Sequence, residues 1–485
     1  MMGELKTMIE LHEEGPRIYN LYPRLVDSID NWGKHLDRIE NMGFNWVYVN
    51  PLSYTGFSGS LYAIKDYFKM NPLFAPADAE DPTSWAPLVE FIDACHARGL
   101  RFMYDLVINH TSIDSDLVQR HPEWFIWKHA VIEKSSGRII KQFPLDAPPC
   151  SNEYPPETYK VEKRVANPQA IDPSDSRKVT TWGDLAEIDD EGSIDMLGLL
   201  EYWKKLISFY LELKMDGFRC DAAYQVPSKT WKILIDHAKG INPRVLFTGE
   251  TLGCTLDQVQ NVTRGGFDFI YNSSKWWDFT ASWCPDQYNQ FKEHAPSISF
   301  PESHDTPRLA RESSSNVDYQ VFRYLFAACF SAGTMMPIGY EFGFRKKLDV
   351  VRTKPSDWEP AAFDISSYIK HANKFKSKIA CLNEDGPMLH ENLSGGATML
   401  LRKATKDINQ YLLLIYNKDW EKPHEVSIDD MSRYLDLDAQ VYQINLFLEG
   451  VPLDGNTWQK MLQPNEHVFF FQDIGRNLQI KWQGT

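Results

Sequence analysis

The stretch "MDGFRCDAAYQVP", residues 215–227, contains a short apolar run that ends in two opposite charges. The segment before it, "SIDMLGLLEYWKKLISFYLELK" at residues 193–214, has apolar residues at helical spacing. In "GFRCD", Arg219 and Asp221 are two positions apart, so on a strand both side chains lie on the same face. A helix that leads into a buried strand predicts one unit of a parallel α/β sheet, with these charges at the strand's carboxyl end.

Other short apolar runs extend this pattern over the first 345 residues. The predicted strands are 17–23, 46–52, 101–109, 217–222, 245–250, 267–272, 297–302 and 334–343. Helical segments lie between them, most clearly "SWAPLVEFIDACHARG" at residues 84–99, whose glycine can end the helix. Eight strands that alternate with helices predict a (β/α)8 TIM barrel.

Two regions depart from this alternation. Residues 111–181 hold 8 of the chain's 28 prolines and have little helical periodicity. A loop of this length is unusual unless it is functional, so we predict an irregular subdomain inserted after strand 3. Beyond residue 385 the pattern changes to short alternating runs. The predicted domains are therefore a barrel at 1–110 plus 182–385, an insert at 111–181, and a C-terminal antiparallel β-sandwich at 386–485.

Composition and charge limit the kinds of partner. The formal net charge of -15 argues against nucleic acid or an anionic membrane surface, because phosphate binding needs clustered Lys and Arg. The seven cysteines are scattered without a CxxC pair, which favours free thiols over zinc. The start "MMGELKTMIELHEEGPRIYN" is unlike a signal peptide, and apolar runs are too short for a membrane span. We expect a cytoplasmic protein with a neutral substrate; the oligomeric state stays open.

Polar residues at the ends of the predicted strands indicate the chemistry, because these ends form the active face of such barrels. They are Asp105, Asn109, His110, Arg219, Asp221, Glu250, Glu302, His304 and Asp305. Most of the ionisable ones are carboxyl groups, and the sequence has no nucleophile elbow or phosphate-binding glycine loop. Glycosidic bonds break by the action of two carboxyl groups, one as nucleophile and one as proton donor. An Arg near the first would keep it ionised.

Four of these stretches together resemble a known family. "DLVINH" (105–110), "GFRCDAA" (217–223), "FTGET" (247–251) and "PESHD" (301–305) are similar, in order and spacing, to the four hallmark regions of the α-amylase superfamily, glycoside hydrolase family 13. The resemblance spans roughly residues 17–345, and the insert and the C-terminal β domain look like that family's B and C domains.

The resemblance implies a role for each matching residue. Asp221 would be the nucleophile, Glu250 the general acid/base, and Asp305 the third carboxylate, which holds sugar hydroxyls. The implied substrate-binding residues are Arg219, His110, His304, Tyr62, Asp105 and Asp66, of which Tyr62 and Asp66 match a YxxxD pattern with a stacking tyrosine. Such a site is retaining, with a covalent glycosyl intermediate on Asp221.

Several nearby residues have a structural interpretation beside the functional one. We expect Glu302 to support the site from behind, "HPEWF" at 121–125 and "KWWDF" at 275–279 to pack, and Cys220 to point inward. Trp182 is open between core packing and a sugar platform. An ion pair of Arg219 with Asp221 could be purely structural, but Glu250 and Asp305 in register favour catalysis.

The sequence also departs from typical α-amylases. Tyr224 and Gln225 stand where such enzymes have a Lys-His pair, and Ser303 stands where Asn is common. We therefore expect no cofactor and no metal site; calcium, with Asn109 as one ligand, is the alternative. The flanks "GSLYAIKDYF" and "HPEWF" resemble maltosyltransferase-type members instead.

The predicted function is a retaining α-glycosidase or transglycosidase acting on α-1,4-glucans or malto-oligosaccharides. The alternatives are a maltosyltransferase, a disaccharide-active enzyme of the trehalose synthase or sucrose phosphorylase type, and a non-catalytic carbohydrate-binding barrel. The last is disfavoured because a binding protein needs no paired nucleophile and acid. Hydrolysis and transfer stay open.

Overall fold

The computed structural model describes residues 14–172, 175–474 and 481–482. The first 13 residues, on which the signal-peptide prediction depends, lie outside the described residues. Within them the strands, in chain order, are β1 (Arg17–Asn20), β2 (Trp46–Val49), β3 (Ser53–Thr55), β4 (Ile64–Met70), β5 (Arg101–Leu106), β6 (His110–Ser112), β7 (Trp127–Glu133), β8 (Ile139–Pro144), β9 (Tyr159–Val165), β10 (Gln169–Asp172), β11 (Asp175–Thr181), β12 (Leu185–Glu187), β13 (Gly217–Cys220), β14 (Leu246–Glu250), β15 (Phe269–Tyr271), β16 (Ser297–Ser299), β17 (Gly333–Pro337), β18 (Met388–Leu393), β19 (Thr398–Ala404), β20 (Gln410–Asn417), β21 (His424–Ile428), β22 (Val441–Ile444), β23 (Glu449–Pro452), β24 (Trp458–Leu462), β25 (His467–Asp473) and β26 (Lys481–Trp482).

The α-helices of the described residues are given next in chain order. They are α1 (Pro23–Val26), α2 (Leu36–Asn41), α3 (Ala86–His96), α4 (Asp116–Arg120), α5 (Met196–Glu212), α6 (Ser228–Ile241), α7 (Leu256–Thr263), α8 (Trp283–Phe291), α9 (Leu309–Glu312), α10 (Val317–Phe330) and α11 (Ser366–Lys378). Within the described ranges, no helix combines the length and the apolar character that crossing a bilayer requires.

Eight parallel strands close into the predicted barrel. Their order around it is β1-β17-β16-β15-β14-β13-β5-β2, so each predicted strand is present and the (β/α)8 fold is confirmed. Strands such as β13 and β17 are buried along their whole length. They are covered by side chains inside the barrel and by helices outside it, which is why they lack the alternation of a one-sided sheet.

The helix before β13 shows how the sequence specifies one of these units. Asp195 caps α5, because its side chain accepts a hydrogen bond from the Gly198 amide at 3.1 Å. Leu199, Trp203 and Leu206 are among the residues that this helix buries, at the spacing of one helical face. The chain then enters β13 with Arg219 and Asp221 at its carboxyl end.

The insert after the third barrel strand is present, and it contains more regular structure than its prolines indicated. β7 pairs with β8 and β9 in a three-stranded antiparallel sheet, and β10 and β11 form a second pair. β6 pairs with β12, so His110 lies opposite Glu187 and the insert is tied to the end of the barrel strand. The exact domain boundaries stay predictions.

The C-terminal region is an antiparallel β structure, as predicted. Seven strands form one sheet in the order β18-β19-β20-β25-β22-β23-β26, and β21 pairs with β24. Leu400, Leu413, Ile415 and Phe470 belong to a core of their own on one face of this sheet. The other face packs on the barrel, since Phe469 and Phe375 are in ring contact.

A buried carboxylate joins the barrel to this sheet. Asp385 is 1% exposed and accepts hydrogen bonds from the Ser297 amide and hydroxyl and from the Ala332 amide, each at 2.7 Å. The ammonium of Lys403, on β19, lies 3.5 Å from it. Asp385 therefore links barrel strands to the C-terminal sheet by hydrogen bonds on one side and an ion pair on the other.

We expect Asp385→Ala to lower the free energy of unfolding by about 3–5 kcal/mol, because it leaves two buried amides without their acceptor and the buried ammonium of Lys403 without its counter-charge. Denaturant titration followed by fluorescence measures this change. The control is Asp37→Ala, which removes an 83% exposed partner of Arg98 and should leave the midpoint near wild type. Equal effects of the two variants would contradict the anchoring role of Asp385.

Candidate active site

The centre of the site is one guanidinium group in contact with three carboxyl groups. Strand register places Arg219 beside Asp105 of β5 and Thr248 of β14. Arg219 Nη1 donates to Asp105 Oδ1 at 3.0 Å and to Asp221 Oδ1 at 2.7 Å, and Nη2 lies 2.9 Å from Glu250 Oε1. Arg219 is 5% exposed, so these ion pairs are shielded from water. The predicted nucleophile and acid therefore share one cation.

The backbone after the nucleophile connects it to the acid. Ala222 has left-handed dihedral angles, φ 41° and ψ 44°, which cost about 1–2 kcal/mol for a residue with a Cβ atom. Its amide donates to Glu250 Oε2 at 2.7 Å. The turn thus orients the second oxygen of the acid, and a strained conformation at this point is a feature that active sites often carry.

Asp105, Tyr62 and His304 form a second part of the cluster. Tyr62 donates its hydroxyl hydrogen to Asp105 Oδ2 at 2.7 Å and lies 2.7 Å from His304 Nε2. The two rings are stacked at 5.9 Å with an interplanar angle of 6°. Tyr48 also donates to Asp105 Oδ2, at 2.6 Å. Asp105 is completely buried, so it holds the side chains around it in place.

Asp305 has a different electrostatic setting from the other carboxyl groups. Its Oδ2 lies 3.0 Å from His304 Nε2, and its side chain is 50% exposed. Burial opposes ionisation, but the charge and hydrogen bond of His304, helped by Arg219 and Lys347, bring the pKa of Asp305 below its ordinary value. Asp305 is therefore a carboxylate at neutral pH.

Burial acts in the opposite direction on Asp221 and Glu250. It raises the pKa of both groups, and the charge of Arg219 only partly offsets it. The charge of Glu250 adds to the effect on Asp221, and the charge of Asp305 adds to the effect on Glu250. One buried cation, Arg219, faces three carboxyl groups, so its charge does not compensate all of them. Asp221 and Glu250 together therefore retain a proton more readily than two separate acids would.

His110 offers a neutral imidazole to the same space. It is 5% exposed, and its Nε2 lies 3.2 Å from the carbonyl oxygen of Tyr62. Burial lowers the pKa of His110 to about 4, so the ring is uncharged at neutral pH. A neutral ring can donate one hydrogen bond to a ligand or to the backbone without adding charge.

These groups line a cavity of about 410 Å³ at the carboxyl ends of the barrel strands, which we call the carboxylate cavity. Its size is within the range of roughly 300–1,000 Å³ that small ligands occupy. The residues around it include Tyr62, His110, Trp182, Tyr224, Asp221, Glu250 and Asp305. Trp182 belongs to the segment after the insert and is 40% exposed, which favours the sugar platform over core packing.

The structure does not bring Asp66 to this cluster. Its side chain accepts a hydrogen bond from the Phe68 amide at 3.0 Å and lies 3.6 Å from Lys69, and it is 38% exposed. Asp66 lies on β4, opposite Tyr54 of β3, so strand pairing sets the direction of its side chain. The prediction that Asp66 binds substrate has no support in these contacts.

The neighbouring residues with structural interpretations are placed as predicted, except Trp276 of "KWWDF", which is 52% exposed. Glu302 is 1% exposed and pairs with Arg308 at 2.7 Å, behind the site. Trp124 stacks on His121 at 3.8 Å and anchors the insert. Trp277 packs among aromatic rings, and Cys220 is fully buried.

Sequence reasoning missed two residues of the site. Tyr48 holds Asp105, and Asn50 donates to the Tyr62 hydroxyl at 2.9 Å. Both lie in the stretch predicted as the second strand, "WVYVNPL". The rule that polar residues at strand ends form the site would have found Asn50, whereas Tyr48 looked like an ordinary strand aromatic.

Asn109 keeps one oxygen that a calcium ion could use. Its amide nitrogen donates to Gln225 Oε1 at 2.9 Å, while its Oδ1 is buried without a hydrogen-bond partner among the described residues. Calcium prefers six to eight oxygen ligands, and the absence of a metal site stays a prediction. Among the described His, Cys, Asp and Glu side chains, one group is close enough to share an ion, namely His121, Glu123 and Asp195. The Asp195 oxygens already accept from Trp124 and Gly198, so this group has a structural explanation.

Comparison with known proteins places these observations in a family context. The family profile for "Glycogen debranching enzyme, glucanotransferase domain" matches residues 10–126. The α-1,4-glucan:maltose-1-phosphate maltosyltransferase of Burkholderia pseudomallei is 22% identical over 85% of this chain and 34% of its own length. A cyclomaltodextrinase of Geobacillus thermopakistaniensis is 22% identical over 67% of this chain and 51% of its own. The chain spans about a third to a half of the length of these relatives.

Solved structures share the whole fold. A maltogenic α-amylase from Thermotoga neapolitana has a TM-score of 0.66 at 20% identity and covers 96% of this chain and 100% of its own. An α-amylase from Geobacillus thermoleovorans, complexed with acarbose, has a TM-score of 0.69 at 14% identity and covers 95% and 98%. The predicted resemblance to the α-amylase superfamily, including its maltosyltransferase-type members, is confirmed.

We expect Glu250→Gln to stabilise the protein at neutral pH. Burial raises the pKa of Glu250, so the folded state disfavours its charged form, and stability is lost as the pH rises from the unfolded pKa through the folded pKa. An isosteric amide removes this penalty and can still accept from the Ala222 amide. The melting temperatures of the wild type and of Glu250→Gln, measured over a range of pH, report this change in stability.

The melting temperature of Glu250→Gln minus that of the wild type should be positive at neutral pH. It should shrink as the pH falls toward the ordinary pKa of a glutamic acid, because Glu250 of the wild type is then neutral in the folded and in the unfolded state. A variant that is less stable than wild type at neutral pH would show that the ion pair with Arg219 outweighs burial.

Proposed function

We propose that this protein is a retaining enzyme that acts on α-glucosidic bonds of α-1,4-glucans or malto-oligosaccharides. One observation carries the proposal: Arg219 contacts Asp105, Asp221 and Glu250 at the edge of a cavity that Asp305 also lines. Relatives named as a glucan maltosyltransferase, a cyclomaltodextrinase and an α-amylase support the choice of substrate.

In the proposed first step, Asp221 attacks the anomeric carbon while Glu250 protonates the leaving glycosidic oxygen. The hydrogen bond from Arg219 to Asp221, at 2.7 Å, favours the ionised nucleophile. Burial, with the charge of Asp305 adding to it, raises the pKa of Glu250, but burial raises the pKa of Asp221 as well. The choice of Glu250 as the proton donor therefore rests on the match of the strand-end motifs to the family. The glycosyl group is then covalently bound to Asp221 through an ester.

Sugar hydroxyls would be held by the groups around the reacting pair. Asp305, a carboxylate because of its contact with His304, can accept two hydrogen bonds from neighbouring hydroxyls. The neutral ring of His110 donates its one hydrogen from Nε2 to the Tyr62 carbonyl oxygen, which fixes the ring at the wall of the cavity. Trp182 offers a flat apolar surface to a pyranose, which has an apolar face of its own.

In the second step, Glu250 would remove a proton from water or from a sugar hydroxyl, which then attacks the ester at Asp221. Tyr224 and Glu250 line the same cavity. Burial, with the charge of Glu250 adding to it, raises the pKa of this tyrosine. An aromatic wall beside the acid favours an acceptor sugar. Maltosyl transfer, or action on a disaccharide, is therefore the second candidate function.

The proposal includes no metal and a cytoplasmic location. Gln225, which stands where typical α-amylases have the His of a Lys-His pair, accepts a hydrogen bond from the Asn109 amide nitrogen. All seven cysteines are free, which is typical of a reducing compartment.

Asp221→Ala and Glu250→Gln should each lower kcat by roughly three orders of magnitude or more, because each removes one of two groups that act in the same step. Release of reducing sugar and product chromatography from maltoheptaose measure the loss. Asp66→Asn is the matched control and should keep near wild-type activity. Near wild-type turnover by either of the first two variants would contradict the catalytic assignment.

Incubation of the wild type with maltoheptaose should separate hydrolysis from transfer. Shorter sugars alone indicate hydrolysis, longer ones indicate transfer, and a sugar phosphate formed with added phosphate indicates phosphorolysis. Proton NMR of the first products of hydrolysis should show the α-anomer, since two inversions at one carbon restore its configuration. An initial β-anomer would rule out the retaining mechanism.

A further inference from the structure

A second cavity is lined by residues of the segments that follow the carboxyl ends of β1 and β17. It measures about 300 Å³ and lies between residues 25–35 and the loop after β17. Leu25 and Val26 form its apolar side, and Trp358 stands at its edge with 40% of its surface exposed. We call it the Trp358 cavity.

Trp358 is held rigidly although it is exposed. Its ring is stacked on His35 at 5.7 Å with an interplanar angle of 27°, and it meets the edge of Phe344 at 5.2 Å and 82°. A tryptophan fixed in this way loses little conformational entropy when a ligand packs on it. Fixed aromatic surfaces of this kind suit the apolar face of a sugar ring.

Polar groups surround the ring. Asp27 and Lys34 are exposed at the rim, and Asn31 is half-buried beside them. Together they offer an acceptor, a charged donor and an amide that can do both. An aromatic platform with such a rim suits neutral hydroxyl groups better than an apolar partner, which would leave the rim charges without water.

His35 contributes a donor whose partner is missing. It is 7% exposed, and its Nδ1 accepts from Arg38 Nη2 at 3.3 Å, so the hydrogen of the neutral ring lies on Nε2. Burial, with the charges of Arg38 and Lys34, lowers the pKa of His35 to about 4. Within the part of the chain that the structure describes, Nε2 has no hydrogen-bond acceptor. Nε2 is itself shielded in this conformation, so a small shift of the ring toward a ligand hydroxyl would give it an acceptor.

One arginine links segments of the chain that border the two cavities. Arg24, on α1, donates to the carbonyl oxygens of Thr353 at 3.1 Å, of Gly59 at 3.3 Å, and of Val351. Val351 lines the carboxylate cavity, and α1 lines the Trp358 cavity. The same loop after β17 therefore borders both cavities, through Val351 at one and Trp358 at the other.

We propose that the Trp358 cavity is a second carbohydrate-binding site, which holds a distant part of a long α-glucan while another part is in the carboxylate cavity. The inference rests on the proposed function for its ligand, a chain of α-linked glucose. It assigns to Trp358 the stacking platform and to His35, Asn31 and Lys34 the hydrogen bonds to hydroxyls.

The test uses the full chain carrying Asp221→Ala, so that bound glycogen is not degraded. Affinity electrophoresis in glycogen gels, and titration with β-cyclodextrin, measure binding before and after the further change Trp358→Ala. We expect the dissociation constant for glycogen to rise about tenfold, the usual size for loss of a stacking aromatic at a binding site. Trp358→Leu, which keeps apolar volume against Phe344, should give the same loss, and melting temperatures verify the fold.

The matched control is Trp283→Ala, a tryptophan with the same exposure, 40%, at the start of α8. It should leave glycogen binding unchanged. In the otherwise wild-type protein, Trp358→Ala should leave turnover of maltoheptaose unchanged and lower turnover of glycogen.

The outcomes separate the two proposals. Wild-type glycogen binding by both Trp358 variants, together with normal turnover of maltoheptaose, overturns the second site and leaves the proposed function intact. If the wild type leaves maltoheptaose unchanged, the proposed function fails, and the glycogen and β-cyclodextrin data still decide whether Trp358 binds carbohydrate.

Discussion

The contact of Arg219 with Asp105, Asp221 and Glu250 is the interaction on which the rest of the site depends. Burying one such charge without partners costs several kcal/mol, so the barrel must deliver cation and carboxylates together. It does so through register, because β13 lies between β5 and β14 and brings their carboxyl ends level. A slip of one residue in β13 would turn Arg219 and Asp221 away from the barrel interior.

The sequence predicts this part of the fold well, for a physical reason. Strands buried on both faces must be apolar throughout, so each stands out from the helices around it. The strands of the insert gave no such signal, because β7, β8 and β9 are separated by turns and proline-rich stretches and are half solvated. Their pairing depends on contacts between distant residues, such as Val131 with Val161, which a local pattern does not contain.

The site was predictable to the same extent. Residues at barrel strand ends, such as Asp105 and Asp221, come together because the fold fixes where those ends lie. Asp66 shows where spacing fails: it follows Tyr62 by four positions, yet the pairing of β4 with β3 sets its direction. The raised pKa of Asp221, next to an Arg that was expected to keep it ionised, was also beyond sequence reasoning. It depends on distances to Arg219 and on burial, which only the folded chain defines.

The loop after β17 gives the molecule a feature that the motifs do not contain. Val350 and Val351 close the carboxylate cavity on one side, and a few residues later Trp358 forms the edge of a second cavity. Arg24 fixes this loop through backbone carbonyls, so the distance between the two cavities is set by packing rather than by the ligand. A rigid spacing of two weak sites raises the effective concentration of a long chain at the catalytic groups, but does nothing for a short one. The chemistry therefore resides in Arg219 and its carboxylates, while discrimination by chain length would reside in the loop.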